Sequence, residues 1–200
     1  ENLVGDGTQT STLAFGGKTS VPTTVATTES WNGTNWTAVN SMNTARNALG
    51  GSGSDNTSAL AFGGAPPDSL SVTETWNGTN WTEVNDLNTG RNGLGGVGTN
   101  TNALAFGGFN GTARVAITEV WNGTNWTEVA DLNTARNNTV GAGIYTSALA
   151  FGGDVPPNTG KTEEWNGTSW TETTDLSTAR QGGIARAGKV SNSDALASGG

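Results

Sequence analysis

The sequence predicts an all-β fold, a β-propeller with four complete four-stranded blades and a two-stranded fifth. Two observations carry this prediction. Three short motifs recur in fixed order about every 45 residues, and no window of the chain shows the apolar spacing of a helix. Four strands in a repeat of this length are typical of a propeller blade. As one domain of residues 1–200, the chain is expected to place blades at about 1–45, 46–90, 91–135 and 136–180, with a partial blade at 181–200.

The first half of each repeat predicts a hairpin of two strands, A and B. In one repeat, the Gly-rich stretch Asn92–Gly98 leads into Thr101–Phe106, which ends at a double glycine. We expect these glycines to let the chain leave strand B through backbone angles closed to other residues. The motif Leu-Ala-Phe-Gly-Gly that carries them occurs at Leu13–Gly17, Leu60–Gly64, Leu104–Gly108 and Leu149–Gly153, and in degraded form at Leu196–Gly200.

The second half of each repeat predicts strands C and D. After a variable B–C loop, Val115–Trp121 alternates in polarity and Asn125–Val129 returns beside it. The pair Asn122-Gly123 between them predicts a tight type I′ turn, in which both residues have a positive φ. The four B–C loops are Lys18–Thr24, Ala65–Ser71, Phe109–Arg114 and Asp154–Lys161.

Two tryptophans flank this turn in every repeat. Because a blade cannot bury its faces alone, we expect at least one tryptophan of each pair to fill the space between neighbouring blades. The alternative is that one of them is exposed and stacks on a sugar or another flat ligand. The pairs are Trp31 and Trp36, Trp76 and Trp81, Trp121 and Trp126, and Trp165 and Trp170.

An arginine closes each repeat, at the point where strand D leads into the next strand A. We expect it to bond backbone carbonyls or to pair with acidic residues nearby, with a ligand role as the alternative. The arginines are Arg46, Arg91, Arg136 and Arg180, and the acidic residues are Glu83, Asp86, Glu128, Asp131, Glu172 and Asp175. The glutamates close to the first tryptophan, Glu29, Glu74, Glu119 and Glu164, are expected on a solvated face. The tryptophans and arginines together are the candidate ligand-binding residues.

The composition argues against several classes of function. A net charge of −8 disfavours nucleic-acid binding, which needs a basic surface. The chain has no cysteine and no histidine, which removes thiolate zinc sites, the commonest general base and the commonest metal ligand. Its carboxylates recur in every repeat rather than converging on one asymmetric pair. We therefore expect no enzyme activity, no metal and no cofactor, and no apolar run is long enough to predict a membrane span.

The repeated motifs resemble the kelch repeat. Kelch blades carry a double glycine after the second strand, an aromatic residue on the third, a tryptophan on the fourth and an arginine before the next blade, matching Gly63-Gly64, Trp76, Trp81 and Arg91 here. The resemblance covers essentially the whole chain, but the third-strand aromatic is Trp instead of Tyr and the C–D hairpin is shorter than usual. The motifs are also similar to arrays in predicted proteins of marine bacteria and their phages.

The resemblance implies an interaction platform rather than an enzyme. The copper chemistry of galactose oxidase, an enzyme of similar architecture, needs Tyr, His and Cys, and this chain has only Tyr145 among them. The leading expectation is a non-catalytic binding or adhesion module that recognises glycans with several equivalent sites. The alternatives are a structural or assembly protein of a virion, fibre or cell surface, and a protein-interaction scaffold that uses the B–C loops. An extracellular or virion-associated setting is favoured.

The number of blades leaves three arrangements open. The five A–B hairpins and four C–D hairpins favour five blades with the last one incomplete. A four-bladed closure with a surplus hairpin and a piece of a longer array are the alternatives. An open blade edge invites pairing with another chain, so a homo-oligomer is a further expectation.

Overall fold

The computed structural model describes residues 1–20, 23–181, 185–187 and 196–198, and every regular element among them is a β-strand. Blade 1 consists of β1 (Val4–Thr8), β2 (Ser11–Phe15), β5 (Thr28–Trp31) and β6 (Trp36–Val39), and blade 2 of β7 (Gly50–Asp55), β8 (Ser58–Phe62), β9 (Thr73–Trp76) and β10 (Trp81–Val84). Blade 3 consists of β11 (Gly95–Gly98), β12 (Ala103–Phe106), β13 (Thr118–Trp121) and β14 (Trp126–Glu128), and blade 4 of β15 (Val140–Ile144), β16 (Ser147–Phe151), β17 (Thr162–Trp165) and β18 (Trp170–Glu172). Two further pairs are β3 (Lys18–Ser20) with β4 (Thr23–Thr24), inside the B–C loop of blade 1, and β19 (Ala185–Ala187) with β20 (Leu196–Ser198).

The blades are arranged as a propeller. Each blade is one antiparallel sheet with strands A to D side by side in that order. The strands A of the four blades, β1, β7, β11 and β15, lie next to one another around the centre, and β19 lies beside β15. The predicted architecture of four complete blades and a two-stranded fifth is therefore confirmed.

Glycine in strand A makes room for the phenylalanine of strand B. Gly50 pairs with Phe62 and Gly95 pairs with Phe106, and a Cβ atom on Gly50 would overlap the Phe62 ring. A Cβ atom on Gly96 of the next blade would also lie 2.6 Å from this ring. Glycines of two neighbouring strands A thus leave room for the ring. This packing explains why strand A is rich in glycine.

The double glycine turns the chain out of strand B, as predicted. Gly63 and Gly64 have φ angles of 66° and 104°, in the left-handed region that favours glycine. The N–H of Gly64 donates to the Arg91 carbonyl at 2.7 Å, and a Cβ atom on Gly63 would lie 2.5 Å from that same oxygen. The backbone angles and the close approach both exclude a side chain here.

The turn between strands C and D differs from the prediction. Trp121 pairs with Trp126, so four residues form the loop. Gly123 has a φ of 92°, but Asn122 does not adopt a positive φ. Instead, Asn122 Oδ1 accepts hydrogen bonds from the N–H groups of Thr124 and Asn125 at 2.9 and 2.8 Å. The asparagine works through its side chain, as in an Asx turn, and the prediction of a type I′ turn is wrong.

Asparagine side chains also connect the C–D turns of neighbouring blades. Asn40 Nδ2 donates to the Thr79 carbonyl and to Asn80 Oδ1, both at 2.9 Å. Asn85 of blade 2 makes the same two bonds to the turn of blade 3. At the boundary between blades 3 and 4 both residues differ. Ala130 stands at the position of the donor Asn85, and Ser169 stands at the position of the acceptor Asn125.

Restoring this missing link should stabilise the boundary between blades 3 and 4. We expect the double substitution Ala130→Asn and Ser169→Asn to raise the free energy of unfolding by about 0.5–1.5 kcal/mol, the net value of an intramolecular hydrogen bond. Ser169→Asn alone supplies no donor and should change little. Urea denaturation of the two single variants and the double variant measures the coupling; equal effects of Ser169→Asn alone and of the double variant would contradict the link.

Candidate functional site

The second tryptophan of each pair joins its blade to the preceding blade. The Trp81 ring stands edge-on to Phe15 with centroids 5.0 Å apart, and its Nε1 donates to Thr28 Oγ1 at 3.0 Å. Blades 3 and 4 repeat both contacts with Trp126 against Phe62 and Thr73, and with Trp170 against Phe106 and Thr118. This tryptophan is therefore a contact between blades.

The first tryptophan of each pair anchors strand C within its own blade. Trp76 is 1% exposed, and its Nε1 donates to the Asn56 carbonyl in the A–B turn at 3.0 Å. Trp121 and Trp165 are equally buried and make the same kind of bond. The expectation of a tryptophan between blades is confirmed for the pairs of blades 2, 3 and 4.

The pair of blade 1 is different. Trp36 is 49% exposed, whereas its counterpart Trp81 is 6% exposed. Trp31 is half-buried and lies 5.6 Å from Trp36 between ring centroids. The described residues place no blade against this side of blade 1, so the pair faces solvent.

The closing arginine is buried and clamps the next blade. Arg46 is 0% exposed, and its guanidinium donates to the carbonyls of Gly63, Ala61 and Val72. Its Nη2 also pairs with Glu74 Oε1 at 3.0 Å. The other buried pairs are Arg91 with Glu119 at 2.8 Å and Arg136 with Glu163 at 3.1 Å. The expected carbonyl contacts are present, but the acidic partner lies on strand C of the next blade and is none of the six residues that sequence proximity suggested.

Each of these glutamates holds the preceding blade through several donors. Glu74 Oε2 accepts hydrogen bonds from the N–H of Asn43 at 2.7 Å and from Asn43 Nδ2 at 2.8 Å. The N–H of Thr44 donates to Oε1 at 3.3 Å. The expectation that Glu74 and Glu119 lie on a solvated face is therefore wrong, because both are 0% exposed. In blade 4 the buried residue is Glu163, and Glu164 is exposed.

Burial and the facing carboxylate act in opposite directions on these guanidinium groups. Burial lowers the pKa of Arg46, Arg91 and Arg136 from its usual value, and Glu74, Glu119 and Glu163 respectively raise it. Each guanidinium lies within salt-bridge distance of its carboxylate, so the blade interfaces contain buried ion pairs.

These positions decide which candidate ligand-binding residues a ligand can reach. The six buried tryptophans of blades 2 to 4 and the buried arginines Arg46, Arg91 and Arg136 present no surface on which a sugar could stack. Arg180 is half-buried, with its Nε donating to the Thr178 carbonyl at 3.4 Å. Among the tryptophans and arginines of the repeats, Trp31, Trp36 and Arg180 are accessible.

A cavity of about 580 Å³ lies on the axis, where strands A of the four blades begin. Four residues at equivalent positions surround it, and all have a positive φ: Asn2 at 57°, Ala48 at 50°, Gly93 at 60° and Asn138 at 50°. The N–H of Ala48 donates to the Asn2 carbonyl, Gly93 to Ala48, and Asn138 to Gly93, at 3.1, 2.7 and 2.6 Å. A run of backbone hydrogen bonds from blade to blade therefore frames the cavity.

Polar and apolar groups share the wall of this cavity. Asn138 Oδ1 lies close to Gly93, because a Cβ atom added to Gly93 would be 2.7 Å from this oxygen. Leu49 and Leu94 supply apolar surface, and among the lining residues that the structure describes Glu1 alone has an ionisable side chain. The B–C loops lie at the same end of the propeller, because Asn47 and Ala65 exchange backbone hydrogen bonds at 2.8 and 3.0 Å. The cavity and the loops thus share one surface.

No motif of the sequence predicts this cavity. Three of the four residues of its frame, Ala48, Gly93 and Asn138, stand two positions after a closing arginine. Those residues differ in type from repeat to repeat, so no motif marks them. The constant spacing from the arginine is the signal that could have found them.

Fold and site together define a β-propeller repeat protein with an axial cavity. No protein-family model matches the chain, and no curated protein matches it. Within the described ranges, no group of three or more His, Cys, Asp or Glu side chains could hold a metal ion. The same part of the chain contains no helix long and apolar enough to cross a membrane.

Breaking one buried ion pair should destabilise the propeller strongly. We expect Arg91→Met to lower the free energy of unfolding by about 3–5 kcal/mol, because Glu119 is left as a buried charge without its partner. Adding Glu119→Gln should recover part of this loss, since the amide removes the charge and keeps an acceptor for Asn88. Urea denaturation measures both effects.

The exposed ion pair of Lys161 and Glu172 is the matched control. Their side chains are 37% and 50% exposed, so Lys161→Met should cost less than about 1 kcal/mol. A loss as large as that of Arg91→Met would show that burial is not the cause.

Proposed function

We propose that this chain is a non-catalytic binding module that holds a neutral, polar ligand in the axial cavity, with glycans as the leading class. One observation carries the proposal: four blades converge on a cavity in which Glu1 carries the only ionisable side chain among the described lining residues. General acid–base catalysis needs positioned titratable groups, and binding does not. A volume of about 580 Å³ falls within the range of small-molecule pockets, about 300–1,000 Å³.

The lining supports a sugar better than a charged ligand. A sugar presents hydroxyl groups and apolar C–H faces together. The carboxamides of Asn2 and Asn138 offer donors and acceptors for hydroxyl groups, and Leu49 and Leu94 offer apolar surface for the C–H groups. A charged ligand would lack a counter-charge at most of the wall, which makes its desolvation costly.

A second candidate is recognition of a protein partner by the B–C loops. Ser69 Oγ donates to the Phe109 carbonyl at 2.8 Å, and Arg114 pairs with Asp154 at 2.5 Å. These bonds tie the loops of blades 2, 3 and 4 into one continuous rim beside the cavity. Loops that differ in sequence on a rigid scaffold are typical of protein recognition.

We also infer that the repeat is of the kelch type. The double glycine after strand B, the tryptophan on strand D and the closing arginine occupy the blade positions that the kelch pattern gives them. Gly63, Trp81 and Arg91 illustrate all three in one blade. Kelch-type propellers act mostly as binding platforms, which agrees with both candidate functions.

Filling the cavity tests the glycan proposal. Gly5 lines the cavity, and a Cβ atom added there would meet nothing within 4 Å, so Gly5→Leu should fill space without disturbing the fold. We expect the purified chain to bind a class of glycans on an array, and Gly5→Leu to weaken the strongest of these at least about tenfold, a loss of about 1.4 kcal/mol. Thr8→Leu, at the opposite end of β1, is the control and should bind normally.

The outcomes separate the candidates. A blank array from the folded chain would overturn glycan binding and favour a protein partner at the B–C rim. Binding that survives Gly5→Leu, with the melting temperature unchanged, would place the glycan outside the axial cavity. Binding that is lost in both variants would indicate general damage to β1 instead of a blocked site.

A further inference from the structure

Four buried side-chain polar atoms have no hydrogen-bond partner in the part of the chain that the structure describes. Two of them, Arg46 Nε and Arg136 Nε, belong to side chains that are 0% exposed inside the blade boundaries, so a ligand cannot reach them. The other two are Arg114 Nε and Asn137 Oδ1, and both residues are half-buried. We call these two atoms the rim pair. A buried polar group without a partner costs free energy, so the rim pair is a place where a ligand could be stabilised.

Both atoms of the rim pair belong to residues that contact Asp154, in the B–C loop of blade 4. Arg114 Nη2 pairs with Asp154 Oδ2 at 2.5 Å, and the Arg114 side chain is 34% exposed. The N–H of Asp154 donates to the Asn137 carbonyl at 2.8 Å, and the N–H of Asn137 donates to the Asp154 carbonyl at 3.4 Å. An unpartnered donor and an unpartnered acceptor therefore flank the same residue, at the boundary between blades 3 and 4.

The two preceding boundaries place a hydroxyl group of the chain at the equivalent position. Asn47 Nδ2 donates to Thr24 Oγ1 at 3.1 Å, and one repeat further along Asn92 Nδ2 donates to Ser69 Oγ at 2.9 Å. In the following repeat the asparagine of the rim pair is kept, but the arginine replaces the hydroxyl residue. The boundary between blades 3 and 4 thus lacks the side-chain hydroxyl that meets the asparagine at the other two.

The rim pair lies next to the axial cavity. Asn137 directly precedes Asn138, which lines the cavity and belongs to its frame. The Cα atoms of consecutive residues are about 3.8 Å apart. A ligand that fills the cavity therefore needs a short extension to reach the rim pair.

A hydroxyl group suits the rim pair chemically. The Nε–H of Arg114 donates and cannot accept, whereas the carboxamide oxygen of Asn137 accepts and cannot donate. A hydroxyl group does both, so one such group can satisfy both atoms. Asp154 already offsets the charge of Arg114, so an anionic group has no unpaired cation to meet here.

We propose that the rim pair is a subsite of the axial site, where one hydroxyl group of the bound glycan accepts from Arg114 Nε and donates to Asn137 Oδ1. The proposal rests on glycan binding in the axial cavity and adds a source of specificity. A site built to hydrogen-bond a hydroxyl group rejects an analogue that lacks it. The described blades repeat the frame of the cavity, but the rim pair is present at one of their three boundaries, so it also fixes the orientation of the ligand.

Two substitutions each remove one atom of the rim pair. Arg114→Lys keeps the charge beside Asp154 and removes Nε–H, and Asn137→Leu keeps the size of the side chain and removes Oδ1. Titration calorimetry with the glycan that binds most strongly on the array should show a dissociation constant about three- to tenfold higher for each, the effect of one hydrogen bond. Asn92→Leu makes the same change one repeat earlier and should bind as the original chain does.

Monodeoxy derivatives of the same glycan identify the hydroxyl group. One derivative should bind the original chain about three- to tenfold more weakly than the parent glycan does. In Arg114→Lys and in Asn137→Leu the same derivative should lose less, because the contact is already broken on the protein side. The melting temperature of each variant shows that it is folded.

The outcomes distinguish the subsite from the axial site. If Gly5→Leu weakens binding while Arg114→Lys and Asn137→Leu bind normally, the subsite is wrong and the axial site stands, with water satisfying the rim pair. If every derivative loses as much in these two variants as in the original chain, or if Asn92→Leu also binds weakly, the loops act indirectly and the subsite is again overturned. A blank array overturns glycan binding itself, and the subsite with it.

Discussion

The buried ion pair at each boundary is the constraint on which the other contacts between blades depend. Arg46 and Glu74 are both 0% exposed, and charges can be removed from water only when their hydrogen bonds are nearly complete. The guanidinium bonds the carbonyl of Ala61 on strand B of the next blade and those of Gly63 and Val72 between its strands B and C. The carboxylate bonds the loop that carries the arginine. Because donors and acceptors come from both blades, these bonds fix the position of one blade on the next. Apolar packing alone would let one blade slide along the next, but a hydrogen-bonded ion pair does not.

The other features of the repeat follow from this fixed step between blades. Once the step is set, the Trp81 ring can meet Phe15 edge-on and Thr28 at hydrogen-bond distance in the same place at every boundary. At the centre, neighbouring strands A approach closely: a Cβ atom on Gly96 would lie 2.7 Å from the backbone carbonyl of Gly51. The same crowding accompanies left-handed backbone at Ala48 and Asn138, conformations that cost free energy in residues other than glycine. The residues that frame the axial cavity thus have strained backbone conformations, and the buried ion pairs at the blade boundaries hold them in place.

The sequence was sufficient to predict the blades but not the partners across their boundaries. Motif order and spacing predict four strands per repeat, and the observed strands agree, although strand C begins at Thr118, later than the predicted Val115. The acidic partner of Arg91 was expected within about ten residues, yet the actual partner, Glu119, lies 28 residues ahead on the next blade. The repeat period shows which residues each blade contains. The angle between blades decides which residues of neighbouring blades come into contact. The cavity was missed for a related reason, since converging backbone frames it and the residue types vary.

Burial of the tryptophans changes how the chain could bind a repeated ligand. Equivalent tryptophans in every repeat suggested several equivalent sites and avidity within one chain, but six of the eight lie in the core. An axial cavity is shared by all blades, so one chain offers one such site. A ligand of this cavity therefore cannot gain avidity from equivalent sites within one chain.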